Sequence, residues 1–210
     1  MALLKQLLPA SSYDRMRDAY WLLWDIWHGV ETSGRVKINS VNVVGNNRSL
    51  GIDYYPGTVR KVLEELSPDY RQYGFIDFGS GKGKVLLEAA GYPFQFVEGV
   101  EFSSELHRIA ERNIRNYRGK RRCSAVRSVL GDAAEFVLPA APLVLYFFHP
   151  FTGRVLEAVI DNIRRSAAAQ PRNILIICAG ALMEKEGFDR LPDIQVVWKR
   201  KYSTVYRLSG

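Results

Sequence analysis

The segment of this chain best equipped for chemistry is Asp77-Phe78-Gly79-Ser80-Gly81-Lys82-Gly83. Glycines at that spacing let a backbone turn with positive φ and let a ligand come close to main-chain atoms. The run follows the apolar stretch Phe75 to Phe78 and precedes a stretch of helical period from Lys84 to Ala90. Amides at the start of such a helix point at whatever the loop holds. A phosphate loop needs four residues between its glycines and a hydroxyl after its lysine. Here three residues separate Gly79 from Gly83, and Val85 follows Lys84, so that reading fails. A dinucleotide loop is written G-x-G-x-x-G, and this run is one residue shorter.

Three further positions fall where strand-like runs end. Glu101 closes the run from Phe94, and a carboxylate there accepts two hydrogen bonds from a vicinal diol. Such a diol belongs to any nucleoside, so Glu101 does not choose among them; its bland reading is a surface glutamate. Gly131-Asp132-Ala133 follows the run from Val126 to Leu130, and Asp132 also reads as a helix N-cap. Tyr146-Phe-Phe-His149-Pro150-Phe151 closes the run that starts at Leu143; a strand-ending proline beside core aromatics is its bland reading.

Taken in order, these elements resemble those of the class I S-adenosylmethionine-dependent methyltransferases. D-F-G-S-G-K-G looks like motif I of that family. The resemblance implies that Asp77 lies near the amino group of S-adenosyl-L-methionine, and that Gly79, Ser80, Gly81 and Gly83 line its methionine portion. It implies ribose binding by Glu101 and adenine binding by Asp132 and the amide of Ala133. His149-Pro150-Phe151 resembles, in shortened form, the N/D-P-P-F/Y element of methyltransferases acting on nitrogen. It departs by His149 for Asn or Asp and by one proline in place of two. On that resemblance His149, Pro150 and Phe151 are the catalytic candidates, with His149 as base for an amine. Tyr55-Pro56 resembles the aromatic-proline entry upstream of motif I, and Tyr55 reads either as a cover over the cofactor or as core. Trp27-His-Gly-Val-Glu-Thr32 is similar to a segment of a group of small bacterial methyltransferases. The acceptor expected is a protein lysine or small amine. A nicotinamide-dependent oxidoreductase, an RNA methyltransferase and a non-catalytic binding module are the alternatives.

The elements needed to position these residues are legible in the apolar pattern. Leu143 to Phe148 and Ile174 to Ile177 are near-continuous apolar runs, as in parallel strands buried on both faces. Helical spacing joins Leu106, Ile109, Ala110, Ile114 and Tyr117, and also Val155, Leu156, Val159, Ile160 and Ile163. Ile194 to Trp198 and Tyr202 to Leu208 alternate more, as a terminal antiparallel pair does. The expected fold is α/β: a doubly wound, seven-stranded, Rossmann-like sheet over residues 71–210 with its last pair antiparallel. Residues 1–70 are expected to form a helical extension packing on that core. Its stripe of Tyr13, Met16, Tyr20, Leu23, Trp24 and Trp27 follows helical spacing. Asp14, Asp18 and Asp25 deny that helix the cationic excess of a membrane-surface helix, so the stripe is expected to face the domain.

Composition narrows the rest. At 210 residues, 47% hydrophobic and 24% charged, the chain is neither disordered nor fibrous. No apolar run reaches the roughly 18 residues of a membrane span. Residues 1–9 are interrupted by Lys5 and too short for a signal peptide. Cys123 and Cys178 form neither a disulfide framework nor a metal motif, so a cytoplasmic setting without metal is expected. Between Arg108 and Arg127 eight basic residues meet one acid, Glu111, so this window alone equals the net charge of +7. No recognised RNA-binding motif accompanies that patch, and a solvated helix face is the expectation.

Overall fold

A computed structural model describes residues 10–34, 36, 59–148, 150, 153–180 and 187–208. Tyr55, His149 and Phe151 lie outside the described residues. The strands are β1 (Gly74–Phe78), β2 (Val97–Glu101), β3 (Val126–Leu130), β4 (Leu143–Phe148), β5 (Ile174–Ala179), β6 (Ile194–Arg200) and β7 (Ser203–Leu208). The helices are α1 (Ala10–His28), α2 (Arg60–Leu66), α3 (Lys84–Ala89), α4 (Ser104–Asn116) and α5 (Gly153–Ala169).

The seven strands form one sheet in the order β3-β2-β1-β4-β5-β7-β6. β3, β2, β1, β4 and β5 run parallel, and β7 pairs antiparallel with both β5 and β6. Position in the sheet explains the sequence pattern of each strand. β1 and β5 are buried throughout and β4 nearly so, which requires apolar residues on both faces. Edge strand β6 is largely exposed and ends in Lys199 and Arg200, a composition that discourages pairing with another sheet.

Side chains of alternate residues feed two cores. Leu143, Leu145 and Phe147 join the core under α5, where Val155, Leu156, Val159 and Ile163 pack. Val144 and Tyr146 join the opposite core, with Val85 and Leu86 of α3 and Val62 and Leu63 of α2. The strand order reverses between β1 and β4, and there the carboxyl ends of the strands open a crevice suited to ligands. The run from Phe94 contributes a buried ring before β2 begins at Val97. Its apolar character reported burial three residues ahead of strand pairing.

α1 corrects one expectation. Trp24 faces the body, but Met16, Tyr20, Leu23 and Trp27 are exposed among the described residues. The rings of Trp21 and Trp24 instead cover the Lys84 ammonium, with centroids 4.1 and 3.3 Å from Nζ. Trp24 also stacks on His28, which stacks in turn on Tyr117 beyond the end of α4. A buried cation held between indole faces outweighs the remaining apolar stripe as the anchor of this helix.

Candidate active site

The loop between β1 and α3 carries Gly79, Gly81 and Gly83 at φ of +76°, +55° and +81°. Only glycine takes such angles in succession without strain. The loop thereby closes tightly, with the Gly83 amide donating to the Ser80 carbonyl at 2.9 Å. β2 approaches it so closely that Gly99 has no room for a side chain. A Cβ there would stand 2.5 Å from Ser80 Oγ and 2.7 Å from Leu86. Gly99→Ala is therefore expected to destabilise the fold by about 1–3 kcal/mol, the usual range for overpacking, visible as a lowered midpoint in urea. The same contact turns the Ser80 side chain toward the sheet, where its hydroxyl has no hydrogen-bond partner among the described residues. Its amide donates to the Val100 carbonyl at 3.1 Å and its carbonyl accepts from Gly83, so Ser80 ties the loop to β2.

Glu101, the last residue of β2, is 3% exposed and reaches into this loop. Its Oε2 accepts from the Gly81 amide at 2.7 Å, and its Oε1 accepts from the Ser103 amide at 2.8 Å. Burial pushes its carboxyl up to about 7, against the pull of those amides. Asp77, also 3% exposed, sits across from Tyr146 on β4. Burial first, and the Glu101 charge second, raise its carboxyl well above the ordinary range. Among the described residues neither carboxyl has a cation within ion-pair distance.

Asp132 lies beyond the end of β3, where the Gly131 amide donates to the Glu101 carbonyl at 3.0 Å. Its Oδ1 accepts from the Ala134 amide at 2.9 Å, which fixes a turn rather than capping a helix. Ala133 is buried in the α5-side core. Pro150 packs on the glycine loop: a Cβ at Gly79 would meet Pro150 Cβ at 2.5 Å. The structure thus brings Asp77, Gly79, Gly81, Gly83, Glu101 and Pro150 together, with Asp132 one strand away.

The pattern of the sequence missed the outer support of this loop. Asp25 near the end of α1 is buried and accepts from the Thr32 amide, the Thr32 hydroxyl and the Ser33 amide, each at 2.6 Å. The turn so fixed delivers the Ser33 carbonyl to Lys82 Nζ, 2.7 Å away. Asn113 of α4 stitches the two together, accepting from the Glu31 amide and donating to the carbonyls of Glu31 and Lys82. Two lysines flanking Gly83 were the available signal, because a lysine buried in a loop needs a carbonyl or a ring to hold it.

No protein-family model and no curated protein matches the chain. Solved structures do. The yhhF protein from Escherichia coli, assigned provisionally as a methyltransferase, matches at 15% identity over 84% of this chain and 99% of its own, with a TM-score of 0.57. A mutant of MtNAS in complex with S-adenosylmethionine matches at 16% identity over 71% of this chain and 60% of its own, with a TM-score of 0.50. The fold is that of the class I methyltransferases. A conserved hypothetical protein from Streptococcus pyogenes shares it, at 13% identity over 71% of this chain and 94% of its own (TM-score 0.52). Within the class I methyltransferase fold the glycine loop and Glu101 occupy the crevice at the switch in strand order.

Proposed function

We propose that this protein is an S-adenosylmethionine-dependent methyltransferase acting on a nitrogen acceptor. The observation that carries the reading is the pair of buried carboxyls, Asp77 and Glu101, at the glycine loop. Two carboxyls raised by burial suit a ligand that brings a positive charge and a diol. They oppose a diphosphate, and the Gly81 amide that would meet a phosphate is already given to Glu101. This disfavours the nicotinamide alternative beyond its glycine spacing. The fold similarity to a protein crystallised with S-adenosylmethionine adds support of a general kind.

Asp77 would hold the amino group of the cofactor, and the close approach that the glycines permit would let the loop line its methionine portion. Glu101 would accept from the ribose hydroxyls, and Asp132 with the amide of Ala133 would receive the adenine. The bound cofactor supplies an electrophilic methyl group. The protein's contribution is then to orient the acceptor in line with the departing sulfur, which removes most of the entropic cost of their encounter. Pro150 against Gly79 places the end of β4 at the loop, so the acceptor is assigned to the His149-Pro150-Phe151 element. His149 would take a proton from an incoming ammonium, and Phe151 would offer a ring face to positive charge.

Calorimetric titration with S-adenosylmethionine, S-adenosylhomocysteine and NAD tests the cofactor assignment. Micromolar binding of the first two without the third is expected; binding of NAD alone would overturn it. With an acceptor in hand, unaltered turnover in His149→Ala would remove His149 from the role of base.

A further inference from the structure

The outward side of α1 is apolar, and none of the described residues packs over it. Met16, Tyr20, Leu22, Leu23, Ile26 and Trp27 are all exposed, Leu23 at 67% and Trp27 at 79%. At 100° per residue these six fall within one arc of about 160°, and Trp21, Trp24, Asp25 and His28 fill the arc that faces the body. Contiguous apolar surface of this extent marks a site for a protein or a membrane.

A cationic rim adjoins it. The amide of Arg118 donates to the carbonyl of His28, the last residue of α1, at 3.0 Å. Exposed Lys120, Arg121 and Arg122 follow directly, and Arg108 and Arg115 stand exposed on α4. Among the described residues none of these six lies within ion-pair distance of a carboxylate. Arg112 and Arg127, by contrast, are paired with Glu31 at 2.6 Å and Glu98 at 2.7 Å. α1 rests on Lys84 of α3 and on Tyr117 just past α4, and Asn113 of α4 holds the turn after α1 at Glu31, so the apolar arc and the cations belong to the layer on one face of the sheet.

We infer that the outer face of α1 and the cationic end of α4 together form a docking surface for an anionic lipid bilayer. The apolar arc enters the headgroup–acyl boundary, with Tyr20 and Trp27 at the depth such rings prefer. The arginines and lysine meet anionic headgroups. α1 lacks the cationic excess on its own polar side, and α4 with its following loop supplies it. A nucleic acid would satisfy the cations but leave Leu22, Leu23 and Ile26 against phosphate and water. A second copy of the chain would carry the same uncompensated cations into the contact. The surface lies outside the glycine loop, so this inference and the methyltransferase reading stand or fall separately.

Co-sedimentation of the full chain with phosphatidylcholine vesicles, with and without phosphatidylglycerol, is the test. Binding about tenfold tighter to the anionic vesicles, and weakened by salt, is expected. Leu23→Ser with Trp27→Ser should abolish it. Arg115→Glu with Lys120→Glu should weaken it by about fivefold or more per cation. All four side chains are exposed, so melting temperatures should be unchanged in both pairs. Equal binding to neutral vesicles, or none to either, overturns the inference. So does a dimer in solution that dissociates on Leu23→Ser with Trp27→Ser, which makes the face a contact between copies. Tighter binding of a single-stranded RNA oligonucleotide, lost in both pairs, makes it a nucleic-acid surface instead.

Discussion

Replacing Glu101 by Gln is expected to weaken binding of S-adenosylmethionine about 100-fold, as loss of a charged acceptor worth about 1.5–3 kcal/mol would do. The carboxylate meets the Gly81 and Ser103 amides through one oxygen each. Each carboxylate oxygen has a second lone pair for a ribose hydroxyl, and an amide nitrogen in place of one oxygen has none. The effect should depend on pH, and its sign follows from the carboxyl. In the folded protein Glu101 titrates at about 7, against 4.5 for the free side chain. Below pH 4.5 folded and unfolded chains are both protonated there. Between 4.5 and 7 the folded chain keeps the proton while the unfolded chain has lost it, so stability without ligand falls by roughly 3 kcal/mol over that window. Binding runs the other way, because a diol donates best to the ionised carboxylate. Affinity should rise with pH up to about 7, by as much as about tenfold per pH unit, and then level off. The Gln variant should show a flatter profile. Titration in buffers of different ionisation enthalpy would reveal the proton released on binding near pH 6. An affinity in the variant within threefold of the parent's, at about pH 7.5, would detach Glu101 from the ligand.

The sheet was legible in the sequence because its central strands are buried on both faces. Leu143 to Phe148 and Ile174 to Ile177 admit almost no polar residue, and unbroken apolar runs of that length between helical segments have few other uses. The glycine loop was legible for a related reason: three positive φ angles in five residues demand glycine at fixed spacing. α1 was legible as a helix but not in its orientation. Tyr20, Leu23 and Trp27 repeat at the same period as Trp21, Trp24 and His28, so periodicity alone could not say which set turns inward. That was decided by a residue 60 positions further on, the buried Lys84, whose ammonium the indoles of Trp21 and Trp24 cover. Asp25 counts in the sequence with Asp14 and Asp18 among the acids of this helix, yet it is buried by three hydrogen bonds to the turn that follows. A carboxylate satisfied by backbone amides seven and eight residues away leaves no mark in hydropathy. Contacts of this kind, local in space and specific in geometry, are the part of the site a single sequence does not display.

That hidden part should be felt at the cofactor. Asp25→Ala removes the acceptor of three short hydrogen bonds, two of them from the backbone amides of Thr32 and Ser33. The expected cost is about 3 kcal/mol or more, or a fall of roughly 6–12 °C in melting temperature for a chain of this size. Stability alone would make Asp25 an ordinary buried residue. The turn it fixes, however, presents the Ser33 carbonyl to Lys82, inside the glycine loop. Loosening the turn weakens the tie on the Lys82 ammonium and lets the loop sample conformations that no longer fit the cofactor. Affinity for S-adenosylmethionine should therefore fall about tenfold even well below the melting temperature, since a ligand must reselect the competent loop. Lys82→Met separates the two effects. It removes the tie to the Ser33 carbonyl, leaves the three hydrogen bonds to Asp25 in place, keeps the bulk of the side chain, and should weaken binding while lowering the melting temperature far less than Asp25→Ala. If Lys82→Met binds as tightly as the parent chain and Asp25→Ala loses stability alone, the N-terminal segment is a structural brace with no hold on the loop. If both lose affinity, the outer turn is a positioning element of the cofactor site, and the N-terminal segment holds the glycine loop through two lysines either side of Gly83: Lys82 on the Ser33 carbonyl and Lys84 beneath the indoles.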